Sequence, residues 1–202
     1  MQDQNHIIQL IQRDDEVLNG VYEAKYQDGT VRQRITLQQG QLNGPAVMYD
    51  RQQNVKRVIP FVNGKPEGVV ELYRQGKLSG RLPFKAGKKN GKAEYFDGDG
   101  NLILTIDFVN DERHGDVTTY DQLGHILKIM PFSHNKLHGT AQSFLPSGEL
   151  IKSEEFHEGQ RHGRSITYYR NGDIHKVAHY KNGKLVEPPV SIDPKGKIYY
   201  VG

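Results

Sequence analysis

Glycine recurs along this chain with a period near 24 residues, and that spacing restricts the possible folds more than any other feature. The anchor positions are Gly20, Gly44, Gly68, Gly91, Gly115, Gly139 and Gly163, spaced by 24, 24, 23, 24, 24 and 24 residues. Glu187 stands where the next anchor would fall. Five residues after the anchor comes a ring: Tyr49, Tyr73, Phe96, Tyr120, Phe144 and Tyr168. Gly20 departs from this, with Lys25 at that position and Tyr26 beside it. A second glycine follows at Gly29, Gly76, Gly100, Gly124, Gly148, Gly172 and Gly196, with Gln53 in its place once and Gly76 one residue early. Then come an aliphatic column (Val31, Val55, Leu78, Leu102, Ile126, Leu150, Ile174, Ile198) and a column closing the unit (Leu37, Phe61, Phe84, Phe108, Phe132, Phe156, Tyr180). Columns held in register over most of a chain identify an internal repeat.

Each unit reads as one hairpin. After the anchor come about six residues rich in β-formers, such as Val69-Val70-Glu71-Leu72-Tyr73. Turn residues follow, as in Asp97-Gly98-Asp99-Gly100 and Arg170-Asn171-Gly172, because glycine and asparagine accept positive φ. A second strand such as Leu102–Phe108 ends at another turn, for example Asn63-Gly64-Lys65. Nowhere do apolar residues hold a 3.6 period for three turns, so helices are not expected. The predicted fold is all-β: an elongated single-layer antiparallel meander of stacked hairpins, forming a curved ribbon that advances about 10 Å per unit. A thin, one-sided sheet also accounts for a chain of 202 residues that is only 35% hydrophobic, with a mean hydropathy of -0.72. Residues 1–19, with Ile7, Ile8, Leu10 and Ile11, are expected to form a capping strand. The array should span 20–186 and a capping hairpin 187–202, since terminal repeats are atypical. The two ring columns are expected to line one face as a continuous spine. Pro60, Pro83 and Pro131 precede the closing ring and should bulge or fray the pairing there.

Several function classes fall away. Cysteine is absent, which removes disulfides, thiolate nucleophiles and cysteine-ligated zinc. A net charge of +3 does not point to nucleic acid, and no apolar run approaches a membrane span. His114, His138 and His162 share one register before the anchor glycine, but neighbours in it lie about 10 Å apart, whereas zinc needs nitrogens about 2 Å away. They read as a polar ladder, with no metal and no cofactor. His175 and His179 would lie about 13 Å apart in an extended strand. No nucleophile elbow or phosphate loop is present, and an enzyme is not expected. A basic cluster (Arg81, Lys85, Lys88, Lys89, Lys92) precedes an acidic stretch (Asp97, Asp99, Asp107, Asp111, Glu112, Asp116, Asp121). This reads as a solvated face or a patch that steers a charged partner. The most polar turn of a central repeat, Asp111, Glu112, Arg113 and His114, is the first candidate for protein binding, joined by His138, Arg161 and His162.

The units Asn63-Gly64-Lys65-Pro66-Glu67-Gly68 to Tyr73 and Gly159-Gln160-Arg161-His162-Gly163 to Tyr168 resemble the MORN repeat in its bacterial variant form. Asn135-Lys136-Leu137-His138-Gly139 to Phe144 fits with one substitution, and the likeness covers about residues 20–187. Asp111 and Asn135 replace the first turn glycine and Glu187 the last anchor, so the resemblance implies distortion in those units. This variant is similar to the YwqK-type antitoxin proteins. The resemblance implies an immunity protein that binds a cognate secreted toxin, such as an envelope-active lipase effector, as a monomer in a 1:1 complex. The alternatives are a membrane- or lipid-associated module and an envelope scaffold. The polar opening Met1-Gln2-Asp3-Gln4-Asn5 is compatible with a start placed after a removed leader, which favours the bacterial periplasm over the cytoplasm.

Overall fold

The computed structural model describes residues 17–200. The expected capping strand around Ile7 to Ile11 lies outside them. Among the described residues there is no helix, and the 21 strands pair antiparallel in an open meander. The chain divides into two compact units, Met1–Lys89 and Asn90–Gly202.

One register recurs in both. The anchor glycine lies opposite the closing ring, as in Gly44↔Phe61, Gly68↔Phe84, Gly91↔Phe108, Gly115↔Phe132, Gly139↔Phe156 and Gly163↔Tyr180. At the far end of the hairpin the +5 ring lies opposite the aliphatic column, as in Tyr49↔Val55 and Tyr120↔Ile126. Every such hairpin shifts register just before that ring, for instance between Met48 and Tyr49 and between Thr119 and Tyr120. An extra residue on the returning strand (Lys56, Leu127) makes a β-bulge, which raises the local twist. Gln53, in the place of a glycine, takes the same left-handed conformation (φ 64) and donates from Nε2 to the Val31 carbonyl at 2.9 Å. The 23-residue step arises because Arg74↔Lys77 is closed by only Gln75 and Gly76.

The unit-joining turns have two central residues at positive φ, as type I′ hairpins require. Asn63-Gly64 (48° and 77°) and Glu158-Gly159 (51° and 84°) are examples. Asn110-Asp111 (51° and 73°) and His134-Asn135 (47° and 66°) follow the same path. The expected distortion there does not occur, because short Asp and Asn side chains tolerate left-handed backbone. Glu187 is different. The strand that an anchor glycine would open starts only at Val190, and Glu187 Oε1 instead meets His179 Nδ1 at 2.9 Å. Val190–Ile192 then pairs with Ile198–Tyr200.

The interruption expected at the prolines occurs in both units, but proline is not its cause. Pro60 and Pro131 carbonyls accept from the amides of Glu67 and His138, outside the regular ladder. The Thr36 and His179 carbonyls at that position accept in the same way from the amides of Asn43 and Val186, while the Asp107 and Glu155 carboxylates accept from the amides after the anchor, Asp116 and Arg164, at 3.0 Å. The common factor is the anchor glycine, at φ near 110° in Gly44 and Gly115, which no side chain tolerates well.

The core also differs from the expected aromatic spine. The +5 rings are half-buried, and in the closing column Phe61 and Phe108 are buried. The most buried positions lie two residues after the anchor, where Ala46 and Ala93 are fully buried and Val70, Val117 and Ala141 nearly so. Opposite them lie Ile59, Leu82, Ile106, Met130 and Glu154. Small residues at the centre of a single layer, with rings at both ends of the hairpin, place the apolar stripe between the two ring columns.

Candidate protein-binding surface

The polar turns of the Asn90–Gly202 unit bring most of the candidate residues into two clusters. In the first, Glu112 and Arg113 open the strand Glu112–Tyr120 directly after the Asn110-Asp111 turn. Glu112 Oε2 lies 2.7 Å from His134 Nδ1 on the next joining turn. The Arg113 amide donates to Asn135 Oδ1 at 2.9 Å, and its guanidinium donates to the Asn135 carbonyl at 3.0 Å. That guanidinium also sits over the Phe132 ring, 4.2 Å from its centre. His114 meets His134 edge-on at 5.2 Å. Asp111 serves as the second turn residue.

The second cluster is a row of rings. His138 and His162 do not touch each other; His157 lies between them, 4.9 Å from one and 5.8 Å from the other. His162 Nδ1 reaches Asn182 Oδ1 at 3.2 Å. Lys136 binds Glu158 at 2.7 Å and holds that carboxyl below its usual range, with His138 Nδ1 3.8 Å away. Arg161 Nε lies 3.0 Å from Glu154 Oε1 and its guanidinium 5.3 Å from the Tyr180 ring centre. Among the described residues, no group of three or more His, Asp or Glu is arranged to hold a metal ion.

His134, His157, Lys136 and Glu158 belong to this surface but were not among the sequence candidates. His134 and Glu158 are the first residues of joining turns, and Lys136 directly follows one, so the turn register could have found them. His157 sits just past the closing ring, where no other unit carries histidine. The basic cluster meets the acidic stretch where Lys92 pairs with Asp107 at 2.7 Å.

A family model described as the MORN repeat variant matches residues 161–182. No curated protein matches the chain. Among solved structures, the chain is similar at 11% identity and a TM-score of 0.24 to one described as the crystal structure of TcdB2-TccC3-TEV. That alignment covers 86% of this chain and 12% of the other, so the likeness carries no argument here. The matched segment runs from Arg161 through the hairpin Gln160–Tyr168 and Ile174–Lys181 to Asn182, one of a series built on the same register. The chain therefore contains a MORN repeat variant at residues 161–182.

Proposed function

We propose that this chain is a non-enzymatic binding protein that neutralises a cognate secreted toxin by covering it. The observation that carries this reading is the turn surface of the Asn90–Gly202 unit. There Glu112, Arg113, His114, His138 and His162 are held in place by neighbouring turns through ion pairs, ring contacts and backbone hydrogen bonds. Side chains already ordered lose little freedom when a partner docks, so their contacts are not offset by ordering. Charged, hydrogen-bonding groups along a firm edge also suit selective recognition more than bulk adhesion. An immunity protein needs no chemistry of its own: it must block an opening or cover a site.

The test is co-expression with the product of the adjacent gene. The neighbour should arrest growth alone, be harmless beside this chain, and co-purify with it. The double variant His114→Glu, His138→Glu should release the neighbour while melting within a few degrees of wild type, since both side chains are exposed. A harmless neighbour that does not bind removes the reading.

A further inference from the structure

The Met1–Lys89 unit contains a groove that the turn surface does not involve. We propose that it binds an extended acidic polypeptide segment carrying a carboxylate at about every third residue. This stands apart from toxin neutralisation, because it specifies the chemistry of an occupant whatever the protein's role.

Its floor is one cross-strand row, Gln33↔Met48↔Arg57↔Leu72. Its walls are the hairpin-end rings Tyr26, Tyr49 and Tyr73 with the bulge residues Arg32 and Lys56, and Arg74 at the end; the volume of this open groove is about 480 Å³. Arg32, Lys56, Arg57 and Arg74 are exposed, and none makes an ion pair among the described residues. Nearby carboxylates already have partners: Asp28 with Thr30 and Arg51, Asp50 with Asn54, and Glu71 with the hydroxyl of the wall residue Tyr73. Asp50 is also the one that feels Lys56.

A second observation points inward. Gln33 is 4% exposed, and its Nε2 has no hydrogen-bond partner. A buried donor left unpaired calls for an explanation, and a missing acceptor supplies one. The amide is covered by the groove lining, so an acceptor such as a carboxylate or peptide carbonyl meets it only as those side chains part. A planar membrane surface does not reach an amide at the bottom of a concave groove.

The spacing selects the shape of the segment. Tyr26, Tyr49 and Tyr73 end successive hairpins, so neighbours lie about 9.6 Å apart across two strand spacings. A polyproline II helix rises about 9.3 Å per three-residue turn, and grooves lined by aromatic rings recognise that conformation. Each turn of such a segment meets one ring and one or more unpaired cations.

The experiment uses the full chain and a fluorescent peptide of repeated Glu-Pro-Pro triplets, with a Lys-Pro-Pro peptide, a single-stranded oligonucleotide and anionic vesicles as comparisons. The Glu-Pro-Pro peptide should bind saturably and more weakly as salt rises, and the Lys-Pro-Pro peptide should not bind. Arg57→Ala should weaken binding by about tenfold, the usual loss for a charge-assisted hydrogen bond. Gln33→Met removes the orphaned donor at similar volume. It should weaken binding while leaving the melting temperature equal or higher, which separates a lost contact from a lost fold. Lys176→Ala, in the other unit, should change nothing. No saturable binding, equal binding by Arg57→Ala, or tighter binding of the oligonucleotide or vesicles would each overturn the proposal.

Discussion

At the scale of single residues, the repeat shows its rules most clearly where one position breaks them. Ala86 opens a type I′ turn at φ 51° with no side-chain group to stabilise that conformation, where Asn63, Asn110 and Asn182 stand in other units. A left-handed alanine costs about 1–2 kcal/mol, and asparagine relieves part of it. Ala86→Asn should therefore stabilise the protein by about 0.5–1 kcal/mol in urea unfolding, provided that the amide of residue 86 keeps its bond to Glu67. Glu154 is the second exception. It is a buried carboxylate in the column that elsewhere holds Ile35, Ile59, Leu82 and Met130. Lys152 Nζ and Arg161 Nε each lie 3.0 Å from its Oε1, yet that oxygen has no partner by hydrogen-bond geometry. The attraction is one of charge without direction, a poor exchange for hydration. Lys152 and Arg161 are part-exposed and can return to water. Glu154→Leu should then raise stability by about 1 kcal/mol or more; a clear loss would show that the ion pairs outweigh desolvation.

At the scale of the hairpin, the anchor glycine decides the geometry, and its two contributions can be separated. Gly20 and Gly115 share nearly the same φ, 114° and 111°. Among the described residues, a Cβ at Gly20 would meet nothing within 4 Å, whereas one at Gly115 would lie 2.8 Å from the Asp107 Cβ. Gly20→Ala should cost about 1–3 kcal/mol for the backbone alone. Gly115→Ala should cost about 1–3 kcal/mol more, since Asp107 must move and its bond to the Asp116 amide goes with it. Equal losses in thermal unfolding would mean that the contact with Asp107 relaxes freely. This glycine is also why so much of the fold was legible in the sequence. A conformation that only glycine adopts marks its position in every unit, and with it the strand starts and turns. Features that do not depend on residue type in that way stayed hidden. The break before the closing ring was assigned to proline, but Asp107 and Glu155 make it as well. Burial of Gln33 and Glu154 depends on which neighbours cover a single layer, and neither stands out in composition. The histidine register places His138 and His162 one repeat apart, but His157 reaches between them from the adjacent strand, outside that register.

Over the molecule as a whole, one device recurs at hairpin ends in both units and sets the response to acid. Asp50, Asp97, Asp121 and Asp193 each accept from the amide four residues on, and Asp28 accepts from the Thr30 amide two residues on. All five carboxyls sit below their ordinary value of 3.8. For Asp97 the main cause is the Asn101 side chain, for Asp121 the His125 side chain, and for Asp193 the Lys197 amide. A carboxylate whose folded pKa is depressed binds its proton more readily when unfolded. Its stabilisation is therefore complete above the unfolded value and is lost as the pH falls below it, through the folded one. The melting temperature should accordingly stay level toward about pH 5 and drop steeply below about pH 4. Asp97→Asn with Asp121→Asn keeps an acceptor in each turn but removes the charge. This variant should melt below wild type near neutral pH, and the gap should narrow as the pH falls below about 4. A gap that stays constant across that range would place the effect in turn geometry instead of ionisation. The turns that carry the device lose charge together, so both units should weaken over the same pH range.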